Sequence, residues 1–349
     1  MATHRQVWTT RRGDADVLEV RTAALPAPAA GQRRIRVAAA GVNFADVMMR
    51  RGLYPDAPRL PAVAGYEVAG TVDAAGPGTE DDLVGRPVVA MCRFGGYSEA
   101  VCVPAGQVWA LPPDLAPVRA AALPVNYLTA WQMLRVMTTV GPDDTVLVHG
   151  IAGGVGQAAL QLCRLAGARV LGTASPAKHA ELLAQGVAQV FDSRQAEFAA
   201  AVRAASGGRG ADIVLEPRSG RWIMESYRSL AKCGRLVLFG FSQAAVGRGS
   251  GTWSALRTLA RVPWLRLNPI RLMNDNRSLA GVNLGRMWDQ SARTAGWMDE
   301  LLALAADGSI APRIDGVYGF DQAAAAQRRL EERQNFGKVI LVPQGEDEA

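Results

Sequence analysis

Hydrophobic positions change their spacing twice between residues 144 and 174, and this change predicts three consecutive elements. The short β-branched run Thr145–Val148 is typical of a buried parallel strand. Apolar residues then recur at helical spacing as far as Leu165. A second strand-like run begins at Arg169, shortly after Gly167. The first strand and the helix are joined by a turn that contains Gly153, Gly154 and Gly156.

This glycine turn is typical of a dinucleotide-binding site. Backbone without Cβ atoms can approach a pyrophosphate closely, and the helix that follows directs free N–H groups and the positive end of its dipole at the phosphate. Ile151 occupies the place of the first glycine in the usual G-x-G-x-x-G fingerprint. The position between two strand-like runs, in a unit of about thirty residues, favours a dinucleotide over a purely structural turn.

The end of the second strand indicates which dinucleotide binds. An NAD site usually places Asp or Glu there to hold the ribose 2′-hydroxyl. Here the chain reads Gly172-Thr-Ala-Ser-Pro-Ala-Lys178, and no carboxylate appears before Glu181. Ser175 can donate a hydrogen bond to a phosphate and Lys178 adds a positive charge, which together favour NADPH. The alternative is that Lys178 is a solvated lysine in a first helical turn.

The rest of the pattern predicts an α/β protein with two kinds of domain. Residues 5–125 contain short β-like runs separated by Pro and Gly turns, and residues 118–134 turn helical. Strand and helix alternate over residues 145–240, which predicts a parallel, doubly wound sheet. We expect a last strand of that sheet at 278–285. Residues 308–343 return to β character and are expected to complete the first domain.

Residues 241–273 interrupt the alternation of strand and helix. They contain five arginines, Trp253, Trp264 and several leucines, but no acidic residue. We expect an amphipathic helical insertion that covers the active-site mouth or forms a dimer contact. A basic apolar helix of this kind could instead rest on an anionic membrane surface.

Composition excludes several other classes of protein. The net charge is +6, but the arginines are scattered and no aromatic-interleaved basic stripe appears, so we expect no nucleic-acid partner. The four cysteines form no C-x-x-C pair, which argues against a zinc lobe or a disulfide framework and fits a reducing compartment. No signal-peptide core and no run of 18 apolar residues are present, so a cytoplasmic location is expected.

Five motifs carry a resemblance to a known family. They are Ala40-Gly-Val-Asn-Phe-Ala-Asp46, Gly65-Tyr-Glu67, Asn126-Tyr-Leu-Thr-Ala130, Ala152-Gly-Gly-Val-Gly156 and Phe336-Gly-Lys-Val-Ile-Leu-Val-Pro343. With these motifs the chain resembles the medium-chain dehydrogenase/reductase superfamily, most of all its zinc-independent quinone oxidoreductases and their branch of vesicle amine transport protein homologues. The resemblance implies a GroES-like mainly β catalytic domain (1–125, completed by 288–349) and a Rossmann NADPH-binding domain (126–287) that contains the insertion.

The resemblance also bears on zinc. Zinc alcohol dehydrogenases of this superfamily carry a Cys ligand where this chain has Asn43, and a His ligand where it has Tyr66. Catalytic zinc needs three protein ligands with nitrogen or sulfur prominent, and the three histidines (4, 149 and 179) do not cluster in the sequence. We therefore expect no metal, although a zinc alcohol dehydrogenase is kept as an alternative that metal analysis tests.

The resemblance implies a set of site residues. Asn43, Tyr54 and Thr129 are expected at the nicotinamide end as the catalytic group, with Tyr54 the best hydrogen-bond donor. The alternatives are that Tyr54 packs on Pro55 in a turn and that Asn43 only caps one. The cofactor residues are Gly153, Gly154, Val155 and Gly156 on the pyrophosphate, Gly172, Ser175, Lys178 and Arg333 around the adenosine phosphate, and Thr173 and Phe239.

Two further positions depart from the family pattern. Ser193 stands where relatives often place a tyrosine against the adenosine phosphate. Arg218 stands where a small or apolar residue is commoner, and it either changes what reaches the cleft or lies at the surface.

We expect an NADPH-dependent reductase of a quinone or α,β-unsaturated carbonyl, and an enoyl reductase is equally compatible with the sequence. The resemblance also implies a homodimer joined near Ser278–Leu284. A lipid- or membrane-binding protein on a vestigial oxidoreductase fold is the alternative from another class.

Overall fold

The computed structural model describes residues 2–80, 82–195, 197–218, 220–240 and 269–343. The chain divides into two compact units. The first comprises Met1–Leu128 together with Leu284–Ala349, and the second comprises Thr129–Asn283. The first unit is mainly β and the second alternates strand and helix, which confirms the predicted α/β fold class.

In the described part of the first unit, eight strands lie before residue 128 and two lie near the end of the chain. They are β1 (Thr3–Thr9), β2 (Leu18–Ala24), β3 (Gln32–Val42), β4 (Ala62–Val63), β5 (Glu67–Ala75), β6 (Pro87–Met91), β7 (Ala100–Pro104), β8 (Val108–Ala110), β15 (Ile314–Gly319) and β16 (Lys338–Val342). Strands β2, β1 and β4 form a small sheet. The larger sheet has the order β15-β16-β3-β5-β6-β8, and β7 also pairs with β3.

The long strand β3 organises this sheet because its side chains alternate between a buried and an accessible face. Ile35 and Val37 are buried within the hydrophobic core, while Arg36 between them is exposed. The strand β16 pairs with it in antiparallel register, with Ile340 opposite Gly41. The last strand therefore lies directly beside the segment that leads into Asn43.

Five helices accompany the chain segments of the first unit. They are α1 (Phe44–Arg50), α2 (Pro117–Ala120), α3 (Pro124–Trp131, which continues into the second unit), α9 (Ser291–Ala306) and α10 (Ala323–Glu331). The single helical segment expected over 118–134 is divided in two, because Pro124 cannot donate the hydrogen bond that would continue α2. A π-helical turn follows α3 at Gln132–Val136.

The second unit is built on a six-stranded sheet with the order β11-β10-β9-β12-β13-β14. The strands are β9 (Thr145–His149), β10 (Arg169–Ala174), β11 (Gln189–Asp192), β12 (Ala211–Glu216), β13 (Leu230–Phe239) and β14 (Ser278–Val282). All neighbouring pairs are parallel. The chain moves outward from β9 to β11 and then returns to β12 on the other side, which is the doubly wound arrangement that the pattern predicts.

The helices described in the second unit are α4 (Gly154–Leu165), α5 (His179–Ala184), α6 (Ala199–Ala205), α7 (Arg221–Ser229) and α8 (Pro269–Asp275). Strand β14 ends at Val282, before the end expected at 285, because a 3-10 turn begins at Leu284. Most of the insertion expected over 241–273 lies outside the described residues. Its described end, 269–273, belongs to α8, where Ile270 and Met273 are exposed.

Candidate functional site

The glycine turn allows the start of α4 to pack closely on the segment that follows β9. Helix α4 begins at Gly154, and Gly153 is its N-cap residue. A Cβ atom at Gly156 would lie 2.5 Å from the carbonyl oxygen of Gly150, and 2.6 Å from the Cα of Ile151. The first turn of this twelve-residue helix contains no acidic side chain, and its first N–H groups have no acceptor within the helix. These features form a cradle of the kind that binds a pyrophosphate.

Ile151 is compatible with the turn because the neighbouring strand leaves space for it. Its side chain is fully buried, and a Cβ atom at Gly172 would lie 2.7 Å from its Cγ2 atom. Gly172 in β10 thus provides the space that the Ile151 side chain needs at the position of the missing first glycine. The turn also has the conformational freedom it needs, since Gly150 adopts a φ of +64°.

The end of β10 carries the residues expected around the adenosine phosphate. Ser175 caps a 3-10 turn, Pro176–Lys178, and both Ser175 and Lys178 are half-buried. Thr173 is buried, and its hydroxyl accepts a hydrogen bond of 3.2 Å from the backbone N–H of Gly150. The glycine turn and the end of β10 are therefore joined directly.

A carboxylate lies beside the end of β10 that the sequence reasoning did not weigh. Asp192 ends β11 and stands opposite Ala174 in the parallel register. Its side chain accepts hydrogen bonds from Arg194, which lower the pKa of the Asp192 carboxyl to about 2. The adjacent Ser193 is half-buried, and its backbone N–H donates to the carbonyl of Ala174 at 2.9 Å. The pairing with Arg194 offsets the negative charge that Asp192 brings to this edge of the sheet.

A buried charged cluster lies where β9 and β12 end side by side. Glu216 is fully buried and accepts hydrogen bonds of 2.9 Å from both Nε and Nη2 of Arg218. The Nη2 atom also lies 2.8 Å from Nδ1 of His149. On its other side His149 lies 3.0 Å from the hydroxyl of Ser226, which donates to Glu216 at 2.5 Å. Arg218 is therefore not a surface residue, since it is only 8% exposed.

The cluster fixes the charge and the tautomer of its histidine. Burial lowers the pKa of His149 to about 3, so the imidazole is neutral at neutral pH. The Nδ1 atom accepts from Arg218, and the proton on Nε2 is directed at Ser226. The Arg218 guanidinium packs on the ring of Trp222 at 4.2 Å, which supplies a further cation–π contact.

In the first unit, Asn43 belongs to a buried polar network. Its amide Nδ2 donates to Glu67 Oε1 at 2.8 Å, and its Oδ1 accepts from Lys338 Nζ at 2.6 Å. The Lys338 ammonium also donates to Glu67, whose second oxygen accepts from the backbone N–H of Val125 at 2.7 Å. Asn43 is also the N-cap residue of α1, and its backbone N–H donates to Asp46 Oδ2. Both ends of the Asn43 amide are thus held by charged side chains.

Asp46 joins three segments of the first unit. Its Oδ2 accepts from the backbone N–H of Asn43 and from the hydroxyl of Tyr97, both at 2.8 Å. Its Oδ1 accepts from the backbone N–H of Gly65 at 3.0 Å. Burial raises the pKa of the Asp46 carboxyl to about 6, although these donors oppose the increase. The segments that carry Asn43 and Tyr66 are therefore held in one frame.

Three aromatic side chains pack together beside this frame. Tyr66 lies between Tyr54 and Phe94, with ring centroids 6.0 Å and 5.0 Å away. The Tyr66 hydroxyl is buried, and its side-chain interaction is with the hydroxyl of Tyr54. Burial raises the pKa values of both tyrosine hydroxyls, with Asp46 adding to the increase at Tyr66.

The remaining expected site residues divide between the two units. Thr129 lies in α3 at the start of the second unit and is 9% exposed, while Phe239 is the half-buried last residue of β13. Arg333 lies in the first unit, is exposed and adopts a φ of +58° after α10. Within the described ranges, no group of three or more His, Cys, Asp or Glu side chains could hold a metal ion. Nor does any described helix have the length and apolar character needed to cross a membrane.

Family models match both parts of the chain. The model of the alcohol dehydrogenase GroES-like domain matches residues 29–113, and the model named zinc-binding dehydrogenase matches residues 185–341. The synaptic vesicle membrane protein VAT-1 homolog of Rattus norvegicus is 39% identical over 334 residues, which cover 95% of this chain and 81% of the relative. The chain belongs to the medium-chain dehydrogenase/reductase superfamily. Within this superfamily it lies in the branch of the VAT-1 homologs, as its motifs imply.

Solved structures of other superfamily members have the same fold. The native structure of a mycobacterial protein complexed with NADPH is 32% identical with a TM-score of 0.84, covering 97% of this chain and 100% of that one. A mycobacterial quinone oxidoreductase is 32% identical with a TM-score of 0.81, at the same two coverages. The superfamily assignment makes the two units a GroES-like and a Rossmann-type unit, and makes the protein an oxidoreductase.

Proposed function

We propose that this superfamily member is an NADPH-dependent reductase of a quinone or an α,β-unsaturated carbonyl compound, working by hydride transfer without a metal. The observation that carries the proposal is the glycine turn at the start of α4, which can pack this closely only because Gly156 has no Cβ atom. The solved relatives support it, one being complexed with NADPH and another being named a quinone oxidoreductase. An enoyl thioester is a further acceptor of the same chemical class.

The residues present suit NADPH. The backbone N–H groups of Gly154, Val155 and Gly156 are available to the pyrophosphate, with Gly153 as the N-cap. Ser175 and Lys178 at the end of β10 are proposed to bind the 2′-phosphate, because they offer a hydroxyl donor and a positive charge. Gly172 and Arg333 are proposed to lie around the adenosine phosphate as well, and Thr173 and Phe239 are assigned to the same cofactor site.

When bound, NADPH supplies a hydride from C4 of its nicotinamide to an electrophilic carbon of the acceptor and becomes NADP⁺, while a proton from water completes the product. The chain's own contribution is to orient the acceptor and to stabilise the oxygen that gains negative charge. We assign this work to Asn43, Tyr54 and Thr129. Glu67 and Lys338 hold the Asn43 amide in one orientation, which prepares it for that role.

The direct test is NADPH oxidation measured with a panel of quinones and enones. We expect saturable turnover with at least one acceptor. Absence of turnover with every member of the panel, in protein that binds NADPH, would overturn the proposed reaction. Metal analysis of the active protein tests the zinc alternative: we expect full activity without zinc, and one zinc per chain lost together with activity on chelation would contradict the metal-free mechanism.

Lys178→Glu tests the phosphate assignment. It should raise the KM for NADPH at least about tenfold more than the KM for NADH, because only NADPH places a phosphate beside this side chain. The matched control is Lys232→Glu, the same change at an exposed lysine of the same unit, which should affect neither coenzyme. An equal effect of Lys178→Glu on both coenzymes would remove the assignment.

We also propose a homodimer in a reducing, cytoplasmic setting. Among the described residues strand β14 is an edge of the six-stranded sheet, and we propose that a second copy pairs with its outer side. The four cysteines are free, as a reducing compartment requires. Light scattering at micromolar concentration should give twice the chain mass of 37.0 kDa, and a Pro substitution at Ala280 should give the monomer. A monomeric wild type would overturn the dimer.

A second candidate function is binding to a membrane surface through residues 241–273. Ile270 and Met273, at the described end of this segment, are 60% and 67% exposed. The rat relative is named for the synaptic vesicle membrane. If this function holds, the protein sediments with anionic liposomes, and replacing Arg257, Arg261 and Arg266 by Glu abolishes the sedimentation. Sedimentation that these substitutions leave unchanged would dismiss the surface contact.

A further inference from the structure

The end of β11 lies directly beside the end of β10, where the 2′-phosphate is proposed to bind. Asp192, the last residue of β11, is paired with Ala174, the last residue of β10, and the next backbone N–H, of Ser193, donates to the Ala174 carbonyl at 2.9 Å. His179 lies with its Nε2 atom 3.2 Å from the same carbonyl oxygen. The pKa of the Asp192 carboxyl is lowered first by hydrogen bonds from Arg194 and further by His179. The carboxylate of Asp192 therefore belongs to the edge of the sheet at which we place the adenosine phosphate.

Arg194 grips this carboxylate along one side of its guanidinium. Its Nε lies 3.0 Å from Oδ1 of Asp192 and its Nη2 lies 2.6 Å from Oδ2, while its backbone N–H donates to Oδ1 at 3.0 Å. The two contacts of the side chain use Nε and Nη2, so among the described residues the N–H bonds of Nη1 have no acceptor. The Arg194 side chain is 76% exposed. The pair thus holds the guanidinium in one orientation and leaves its Nη1 group accessible to an incoming anion.

The charges at this edge favour different coenzymes. A carboxylate without a cation accepts a hydrogen bond from a ribose 2′-hydroxyl and repels a 2′-phosphate, so Asp192 alone would favour NADH. A guanidinium favours the phosphate, and its planar fork can contact two anions at the same time. Because Arg194 covers Asp192 and still has donors to spare, the pair presents a hydrogen-bond donor to the phosphate without a net negative charge.

We propose that Arg194 bridges Asp192 and the 2′-phosphate of NADPH and is the residue that selects this coenzyme over NADH. The proposal rests on the proposed function and deepens it, since it adds a specificity-determining residue from β11 to Ser175 and Lys178 at the end of β10. Nε and Nη2 of Arg194 stay on Asp192, and Nη1 donates to the phosphate. The guanidinium is already oriented by Asp192, so it loses little conformational freedom when the phosphate arrives.

The test measures binding of 2′,5′-ADP and 5′-AMP by calorimetry, because these two ligands differ only in the 2′-phosphate. Wild type should bind 2′,5′-ADP at least about tenfold more tightly than 5′-AMP. Arg194→Met should lose about tenfold in affinity for 2′,5′-ADP and stay within about twofold for 5′-AMP. Its melting temperature should equal that of wild type, because an exposed ion pair contributes little to stability. Arg209→Met is the matched control: it is the same change at an arginine that is 68% exposed and pairs with Asp212 near the start of β12, and it should alter neither affinity.

A double variant separates contact with the phosphate from simple cancellation of charge. Adding Asp192→Asn to Arg194→Met removes the uncovered carboxylate and should recover part of the lost affinity for 2′,5′-ADP, about threefold, but not all of it. Full recovery would show that Arg194 only cancels a charge, and no recovery would show that Asp192 has no effect on the phosphate, so either result overturns the bridge.

These measurements also separate the bridge from the proposed reaction. If wild type prefers 2′,5′-ADP, loses that preference in Arg194→Met and yet reduces no acceptor, the reductase fails and the bridge stands. If wild type reduces acceptors with NADPH and Arg194→Met keeps the full preference for 2′,5′-ADP, the bridge is overturned and the reductase stands. A wild type that binds the two nucleotides equally, or binds neither, overturns the bridge as well.

Discussion

Arg218→Met is the perturbation whose outcome the structure specifies most closely. It keeps an unbranched side chain against Trp222 but removes the guanidinium from Glu216, which is fully buried. Two charge-assisted hydrogen bonds of 2.9 Å are lost, while those from Ser226 and from the backbone N–H of Arg218 remain. At roughly 1.5–3 kcal/mol for each bond to a charged group, the loss is about 3–6 kcal/mol, which agrees with the roughly 3–5 kcal/mol that leaving one buried charge unpaired usually costs.

Native-state hydrogen exchange can measure this loss of unfolding free energy in the second unit separately from the first. Amides of residues 213–215, in a strand paired on both sides, should exchange more than roughly 100-fold faster in Arg218→Met, since each 1.36 kcal/mol is tenfold. Adding Glu216→Gln should recover most of the loss, because neither charge then remains. The matched control is Arg209→Met, whose partner Asp212 lies in the same unit but whose own side chain is 68% exposed. If Arg218→Met accelerates exchange no more than Arg209→Met, the buried pair does not stabilise this unit.

Three further outcomes are expected. Gly156→Ala should weaken NADPH binding at least about tenfold in a fluorescence titration, because its Cβ atom would lie 2.5 Å from a backbone oxygen. Gly106→Ala is the control and should leave NADPH binding unchanged, because no atom lies within 4 Å of the added Cβ. The pKa of His149 falls from 6.5 to about 3 on folding, so between these pH values the unfolded chain binds a proton that the folded chain does not. The stability of the second unit, measured by hydrogen exchange, should therefore be complete above pH 6.5 and decline toward pH 3. A flat profile between pH 6.5 and pH 3 would contradict a neutral buried imidazole. Lys338→Met should destabilise the first unit by about 3–5 kcal/mol, because it leaves the buried Glu67 carboxylate without a cation beside it. Hydrogen exchange in the larger sheet measures this loss, and adding Glu67→Gln should restore much of the lost stability.

The sequence pattern was sufficient to predict the parts of the fold that depend on local spacing. The β-branched run before Gly150 and the helical spacing after Gly154 predict β9, the glycine turn and α4, and the structure confirms them. The family resemblance is likewise confirmed. The break at Pro124 was missed, because the apolar spacing on its two sides is continuous and only the backbone donor is lacking.

The arrangement of charged side chains could not be predicted in the same way. The sequence does not decide whether Arg218 lies at the cleft or at the surface, because its hydrogen bond to His149 joins positions 69 residues apart and no local pattern indicates it. Tyr66 is recognisable in the sequence only as a residue unsuited to bind zinc, because its contacts with Tyr54 and Phe94 depend on the packing of three separate segments.

The contact between Lys338 and Asn43 has a consequence for how the protein forms during synthesis. The Rossmann-type unit is continuous in the chain, Thr129–Asn283, and can fold as soon as it has left the ribosome. The polar network around Asn43 waits for a lysine made 55 positions after Asn283, which at about 5–20 residues per second is a delay of roughly 3–11 s. Through that interval the newborn chain carries a finished glycine turn and an open β sheet whose Glu67 has no cation beside it. Capture of the proposed coenzyme can thus precede the completion of the unit to which we assign the acceptor.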